Sequence, residues 1–250
     1  VTGPANIRDV GGLPLVGGGV TRSGVLLRGD ALYDGDTAPT HVAWPPSTVI
    51  DLRSATEHAW SPYPWEDATR VVELQLFDAA ALARMPRSGT LLAVYRDLVA
   101  NAAEGIARLV DLLPDEGATY LHCSAGKDRT GAATAALLLL AGVTEETVIA
   151  DYQATAANID GVLERLSALG ALGDDWDPQW AATPAEAIAI VIEAVTAPPG
   201  GAREWFLQNG ATEDAIDRFV SRLRQEAHEE PRAVTSHAPA VSSYARAREN

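Results

Sequence analysis

The decapeptide HCSAGKDRTG, residues 122–131, holds the single cysteine of a 250-residue chain and sets Lys127, Asp128 and Arg129 in consecutive positions. The run ATYLHC that leads into it reads as a strand, at about 118–122, and DRTGAATAALLLLAG reads as a helix ended by Gly142. A strand thus ends at His122, a short loop bends through Ser124, Ala125 and Gly126, and a helix opens near Arg129. The N–H groups of such a loop and of the first helical turn lack helical partners. They converge on an anion, and the helix dipole adds to their pull. Residues Ser124, Ala125, Gly126, Lys127, Asp128 and Arg129 are the expected wall of this bowl. Cys123 stands at its edge, and Arg129 supplies a planar fork suited to two phosphate oxygens.

A helix N-terminus and adjacent cations favour a thiolate over a thiol. A thiolate facing a bound phosphate attacks phosphorus, and water then hydrolyses the cysteinyl-phosphate in a second step. The N–H groups and Arg129 stabilise the equatorial oxygens while charge shifts. Nucleotide-binding loops fit poorly. No G-x-G-x-x-G is present, and Gly126-Lys127 runs on into Asp128 where a Walker motif requires Ser or Thr.

Breaking a phosphate ester also requires an acid beside the leaving oxygen. Asp128 lies within the loop, and Asp78 follows the strand-like run VVELQLF. Either is a candidate, with Asp67, Asp97 and a substrate-assisted route behind them. The plainer readings stand beside these. Asp128 and Asp78 each suit a helix N-cap, Lys127 is either a second phosphate contact or a solvated lysine, and Cys123 is either a nucleophile or an inert buried thiol.

HCSAGKDRTG resembles the signature of the cysteine-dependent protein tyrosine phosphatases: His-Cys, five residues, Arg, then Ser or Thr. The resemblance implies that Cys123 is the nucleophile and Arg129 the phosphate clamp. It implies that Thr130 hydrogen-bonds the thiolate, and that His122 orients the loop. With NIRDVGG (6–12), GVLLRGDAL (24–32), VIDLRSATE (49–57), DYQATAANI (151–159) and WFLQNGATEDAIDRFVSRL, the likeness narrows to a bacterial branch. That branch includes a secreted mycobacterial phosphatase acting on phosphotyrosine, phosphoserine/threonine and phosphoinositides. The similarity spans about residues 4–225, with Ile7 in place of the usual Phe and VGGG (16–19) in place of a more polar hairpin. Some lipid-directed relatives carry an aspartate at the place of Asp128, where it is proposed as the acid. The implied activity is phosphomonoester hydrolysis, on phosphotyrosine or, in the same site, on phosphoserine/threonine or phosphoinositides. No cofactor is implied. The implied partners are a phosphorylated protein or phospholipid headgroup, with inorganic phosphate in the site.

The elements that must hold this bowl follow from pattern. Residues 24–30 and 47–54, the latter with Val49, Ile50 and Leu52, read as short strands, and 69–77 reads as a third. VGGLPLVGGGV suggests hairpin-like or extended structure. Residues 78–113 read as mostly helical with a break at 86–89, and 95–113 as one periodic run. Further helices are expected over 144–169, 183–195 and on both sides of Gly210, with Thr144 and Thr147 at a cap. Asn6, Arg8 and Asp9 are expected to tie the N-terminal turn to the sheet. Arg28, Asp51 and Arg53 are expected to form ion pairs around the base of the site, with Arg53 the one to approach substrate. Tyr152 and Asn158 suit either core or pocket rim. The fold class is α/β, a cysteine-phosphatase-like fold with a small, mostly parallel central sheet flanked by helices and a helical C-terminal half. A single domain is expected over 1–228, with a loosely docked tail over 229–250.

Composition excludes several functions. With 34 acidic against 19 basic residues, a net charge of -15, the chain repels nucleic acid and anionic membranes. One cysteine allows no internal disulfide and no resolving partner for a redox couple. Histidines 41, 58, 122, 228 and 237 show no metal-ligand spacing. No apolar run reaches membrane-spanning length. No leader pattern opens the chain, so a cytoplasmic location is the expectation, with leaderless secretion left open.

Overall fold

The computed structural model describes residues 3–58, 62–76, 90–172 and 176–226. Asp78 and the expected tail over 229–250 lie outside them.

Five strands form the central sheet in the order β1-β3-β6-β4-β5: β1 (Arg8–Asp9), β3 (Leu26–Asp30), β4 (Thr48–Asp51), β5 (Arg70–Glu73) and β6 (Thr119–Cys123). Only β1 runs antiparallel to its neighbour. Strands β3, β4 and β6 are buried along their whole length, which is why they read as compact apolar runs in the sequence. The expected third strand is shorter than its pattern. β5 stops at Glu73 and is mostly exposed, as befits the sheet edge.

The helices are α1 (Ala55–His58), α2 (Leu91–Asn101), α3 (Ala103–Leu112), α4 (Asp128–Leu140), α5 (Glu145–Gln153), α6 (Ile159–Ala168), α7 (Ala185–Thr196), α8 (Gly201–Gln208) and α9 (Glu213–Leu223). Helix α4 leaves the end of β6 and is buried almost all round, packed against α2, α5, α7 and α8. Its LLLL run is the centre of the core. The run over 95–113 is not one helix. Ala102 leaves helical geometry (φ -111°, ψ 4°), and the bend lets both Leu98 and Ile106 reach the core. Likewise 144–169 is α5, a 3-10 turn over Ala154–Asn158, and α6. The Thr144 hydroxyl accepts the Thr147 N–H and starts α5.

The glycine-rich N-terminal stretch does turn back on itself, with an antiparallel bridge between Pro14 and Val20. A pairing that has no local signal closes the fold. β2 (Val20–Thr21) lies antiparallel to β7 (Arg224–Gln225), joining the two ends of the described chain. Among the described residues no helix is long and apolar enough to cross a membrane.

Candidate active site

The parallel strands β3, β4 and β6 end side by side, and each ends on a charged or reactive residue. Asp30 lies opposite Cys123, and Asp51 lies opposite His122. Ligands of parallel sheets sit beyond these carboxyl ends. Here the loop from Cys123 to Lys127 crosses that edge before α4 begins at Asp128.

The loop is held by its carbonyls, which leaves its N–H groups uncommitted to the brace. Asn6 Nδ2 donates to the Ala125 carbonyl at 3.2 Å and to the Gly126 carbonyl at 3.4 Å. Arg28 donates to the Gly126 carbonyl at 2.9 Å. The Ala31 N–H donates to the Ser124 carbonyl at 3.2 Å. Arg28 is in turn fixed by Asp151, which also receives Arg8 Nε at 2.8 Å. Burial would raise the Asp151 carboxyl, but the two guanidiniums hold it below the usual carboxylate range. Gly126 requires its lack of a side chain. Its φ is +67°, and a Cβ would lie 2.3 Å from the Gly29 carbonyl carbon.

Arg129 forms a two-pronged pair with Glu57, at 2.7 Å to Oε2 and 2.6 Å to Oε1. Glu57 also accepts the Ser124 hydroxyl at 2.6 Å and the Ser54 N–H and hydroxyl at 2.9 Å each. Burial alone would raise this carboxyl. The Arg129 contact, with the serine donors, overrides it and holds Glu57 at about 2. One carboxylate on α1 therefore sets both the guanidinium and the near wall of the loop. Glu57 closes the VIDLRSATE run, yet nothing local in that run marks it as a site residue. The only clue is an acidic residue shortly after a strand end, and the partner that gives it meaning is 72 residues away.

Cys123 is 3% exposed, at the floor of the loop. His122 is fully enclosed beneath it, with Nδ1 at 3.3 Å from the Cys123 carbonyl and Nε2 at 3.5 Å from Asp51. Burial pushes the His122 imidazole down, against the attraction of Asp51. Arg53 grips Asp51 with contacts of 2.7–3.0 Å and lies beside the Tyr33 ring. It is buried and braces the end of β4. The Thr130 hydroxyl is buried and has no hydrogen-bond partner among the described residues, so no contact to the thiol is drawn.

Two plainer readings are corrected by geometry. Lys127 is not a solvated lysine. Its side chain is 3% exposed, and Nζ donates to Asp128 Oδ1 at 2.7 Å and to the Ala182 carbonyl at 3.2 Å. Asp128 is not the cap of α4. It is the first helical residue, and its carboxylate accepts side-chain donors: Lys127 Nζ, and the Tyr95 hydroxyl at 3.1 Å. Its side chain remains 32% exposed, so part of the carboxyl faces outward. Asp67 is exposed in a turn, and Asp97 accepts Asn101 Nδ2 on its own helix. No hydrogen bond joins either to the loop. A cleft of about 390 Å³ between α3 and α9, lined by Val110, Leu113, Arg218, Phe219 and Arg222 among others, includes none of the signature residues. Among the described residues no group of three or more His, Cys, Asp or Glu side chains is placed to hold a metal ion.

Residues 1–225 match the sequence model of the "Tyrosine phosphatase family". The chain belongs to this family. It is similar to a protein of Cupriavidus necator named "Putative tyrosine-protein phosphatase", with 27% identity over 183 residues, 66% of this chain and 67% of the relative. Among solved structures it matches the crystal structure of TpbA from P. aeruginosa at 18% identity and a TM-score of 0.28, over 60% of this chain and 89% of that one. Family membership makes the protein a tyrosine-phosphatase-like hydrolase acting on a phosphorylated substrate. Within that family the bowl at the end of β6 is its candidate active site.

Proposed function

We propose that the protein hydrolyses phosphomonoesters through a cysteinyl-phosphate formed on Cys123. The observation that carries the reading is the meeting of three parts at one sheet edge. Cys123 ends β6, the loop Ser124–Lys127 is braced through its carbonyls, and Arg129 is aimed by Glu57. In the first step Cys123 Sγ bonds to phosphorus as the ester P–O bond breaks. The bonding pair leaves with the ester oxygen, which takes a proton from an acid. Water then attacks the thiophosphate, the same carboxylate accepts the water's proton, and Sγ departs as thiolate. Arg129 and the loop amides carry the phosphoryl charge throughout. Arg129 already holds its fork in position, so little ordering remains to be done on binding.

Asp128 is the favoured acid because it opens α4 at the end of the loop, partly exposed, with both of its neighbours fixed. Asp78 stays the second candidate. Phosphotyrosine is the default substrate class, as for the family. An acid carried within the signature, beside Lys127, favours a wider range that includes phosphoserine/threonine or phosphoinositides. Cys123→Ser is expected to abolish turnover while vanadate still binds, and unchanged turnover would refute the covalent route. Comparing kcat/KM on a phosphotyrosine peptide, a phosphoserine peptide and a phosphoinositide decides the substrate class. A peptide preference of more than about a hundredfold, or about 2.7 kcal/mol, would exclude the lipid reading.

A further inference from the structure

We infer that Tyr95, backed by Tyr152, is a positioning residue that presents the Asp128 carboxyl with its transferable proton on Oδ2. The inference rests on the reading of Asp128 as the acid and names what orients it.

The two carboxyl oxygens of Asp128 are not equivalent. Oδ1 accepts Lys127 Nζ at 2.7 Å and the Tyr95 hydroxyl at 3.1 Å. Oδ2 accepts nothing from the described residues. An oxygen already facing two donors is a poor place for a third proton, whereas Oδ2 has its lone pairs to spare. The two donors come from different directions, one from the loop and one from α2, so together they fix the plane of the carboxyl group. The proton is then carried on the oxygen that no described residue donates to, and it passes to the ester oxygen as the P–O bond breaks.

Tyr95 has one hydroxyl proton and two oxygens within reach, Asp128 Oδ1 and Tyr152 Oη, the latter at 2.9 Å. A carboxyl oxygen is a stronger acceptor than a phenol oxygen, so the proton points to Asp128. Tyr152 Oη is the competing, weaker acceptor of the same proton, and Tyr152 backs Tyr95 by packing. Burial pushes both phenols above their usual range, so both keep their protons wherever the enzyme works. Packing locks the pair as well. The rings meet edge to face at 5.9 Å, and the Tyr152 ring lies over the first turn of α4, where a Cβ on Gly131 would come within 3.1 Å. The neighbouring Asp151 braces the other side of the loop through Arg28. Two adjacent residues of α5 therefore serve the phosphate wall and the acid separately.

The test uses para-nitrophenyl phosphate, whose leaving group needs no proton, and a phosphoserine peptide, whose leaving group does. Asp128→Asn, Tyr95→Phe and the double variant are compared, with circular dichroism as the check on folding. Tyr95→Phe is expected to lose about tenfold in kcat on the phosphoserine peptide, with KM unchanged and less than about twofold lost on para-nitrophenyl phosphate. In the Asp128→Asn background it should cost nothing further. Equal losses on both esters, or losses that multiply in the double variant, would make Tyr95 a merely structural residue and overturn the inference. If Asp128→Asn is leaving-group dependent while Tyr95→Phe behaves as wild type, the inference fails and the acid assignment stands. If Asp128→Asn shows no such dependence, both fall. Should Tyr95→Phe not fold, Tyr152→Phe, which removes the competing acceptor and leaves the Tyr95 proton to Asp128, is expected to keep kcat on both esters within about twofold of wild type, and a loss confined to the phosphoserine peptide would overturn the inference.

Discussion

Replacing Glu57 by Gln probes the pairing on which the bowl depends. The substitution keeps the shape and removes the charge facing Arg129. Glu57 titrates at about 2 in the fold against 4.5 for the free carboxyl. At ~1.4 kcal/mol per unit this displacement corresponds to about 3 kcal/mol, or about 2 kcal/mol once screening by solvent is allowed for. Leaving the buried guanidinium unmatched points the same way. Because the carboxyl is depressed in the fold, its contribution is complete above the unfolded value and is lost as pH falls through the folded one. The wild type should therefore exceed Glu57→Gln by about 2–3 kcal/mol at neutral pH, with the gap closing between pH 4.5 and about 2. Urea unfolding followed by tryptophan fluorescence, at pH 7 and in steps down to about pH 3, measures it. Phosphate affinity should fall alongside, since Arg129 and Ser124 lose their common anchor. A gap below about 0.5 kcal/mol at pH 7, or one that stays constant with pH, would refute the reasoning.

Two further substitutions test the brace behind the loop. Gly126→Ala combines a left-handed backbone with a Cβ 2.3 Å from the Gly29 carbonyl carbon. It should cost at least about 2 kcal/mol in urea unfolding and weaken vanadate binding, which calorimetry reads. Asp151→Asn strips the charge that holds Arg8 and Arg28. A loss of about 3–5 kcal/mol is expected by the same unfolding measurement.

What the sequence reveals is whatever is written locally. Val49, Ile50 and Leu52 mark a buried strand, Thr144 marks a helix start, and Gly142 and Gly210 mark helix ends. The strand–loop–helix frame of the bowl, with Cys123 and Arg129 in it, is legible for the same reason. Elements of two residues, such as β1, β2 and β7, are too short to show a period. The break at Ala102 is invisible because alanine favours helix, and only packing bends it. Side-chain partnerships across the chain are hidden for a deeper reason. Glu57 finds Arg129, and Tyr95 finds Asp128, only once the sheet and helices have brought distant segments together. Asp128 likewise meets a donor from α2, far from the loop in sequence.

The brace of the loop also orders events in time. Arg8 and Asp151 are 143 residues apart, and Arg28 and Gly126 are 98 apart. During synthesis the thiol therefore leaves the ribosome before the α5 residues that hold the loop around it. β2 must wait still longer for β7. Contacts of such span close late and slowly. A chain interrupted shortly after its signature would carry Cys123 and Arg129 with no bowl between them, so catalytic competence arrives together with the finished fold.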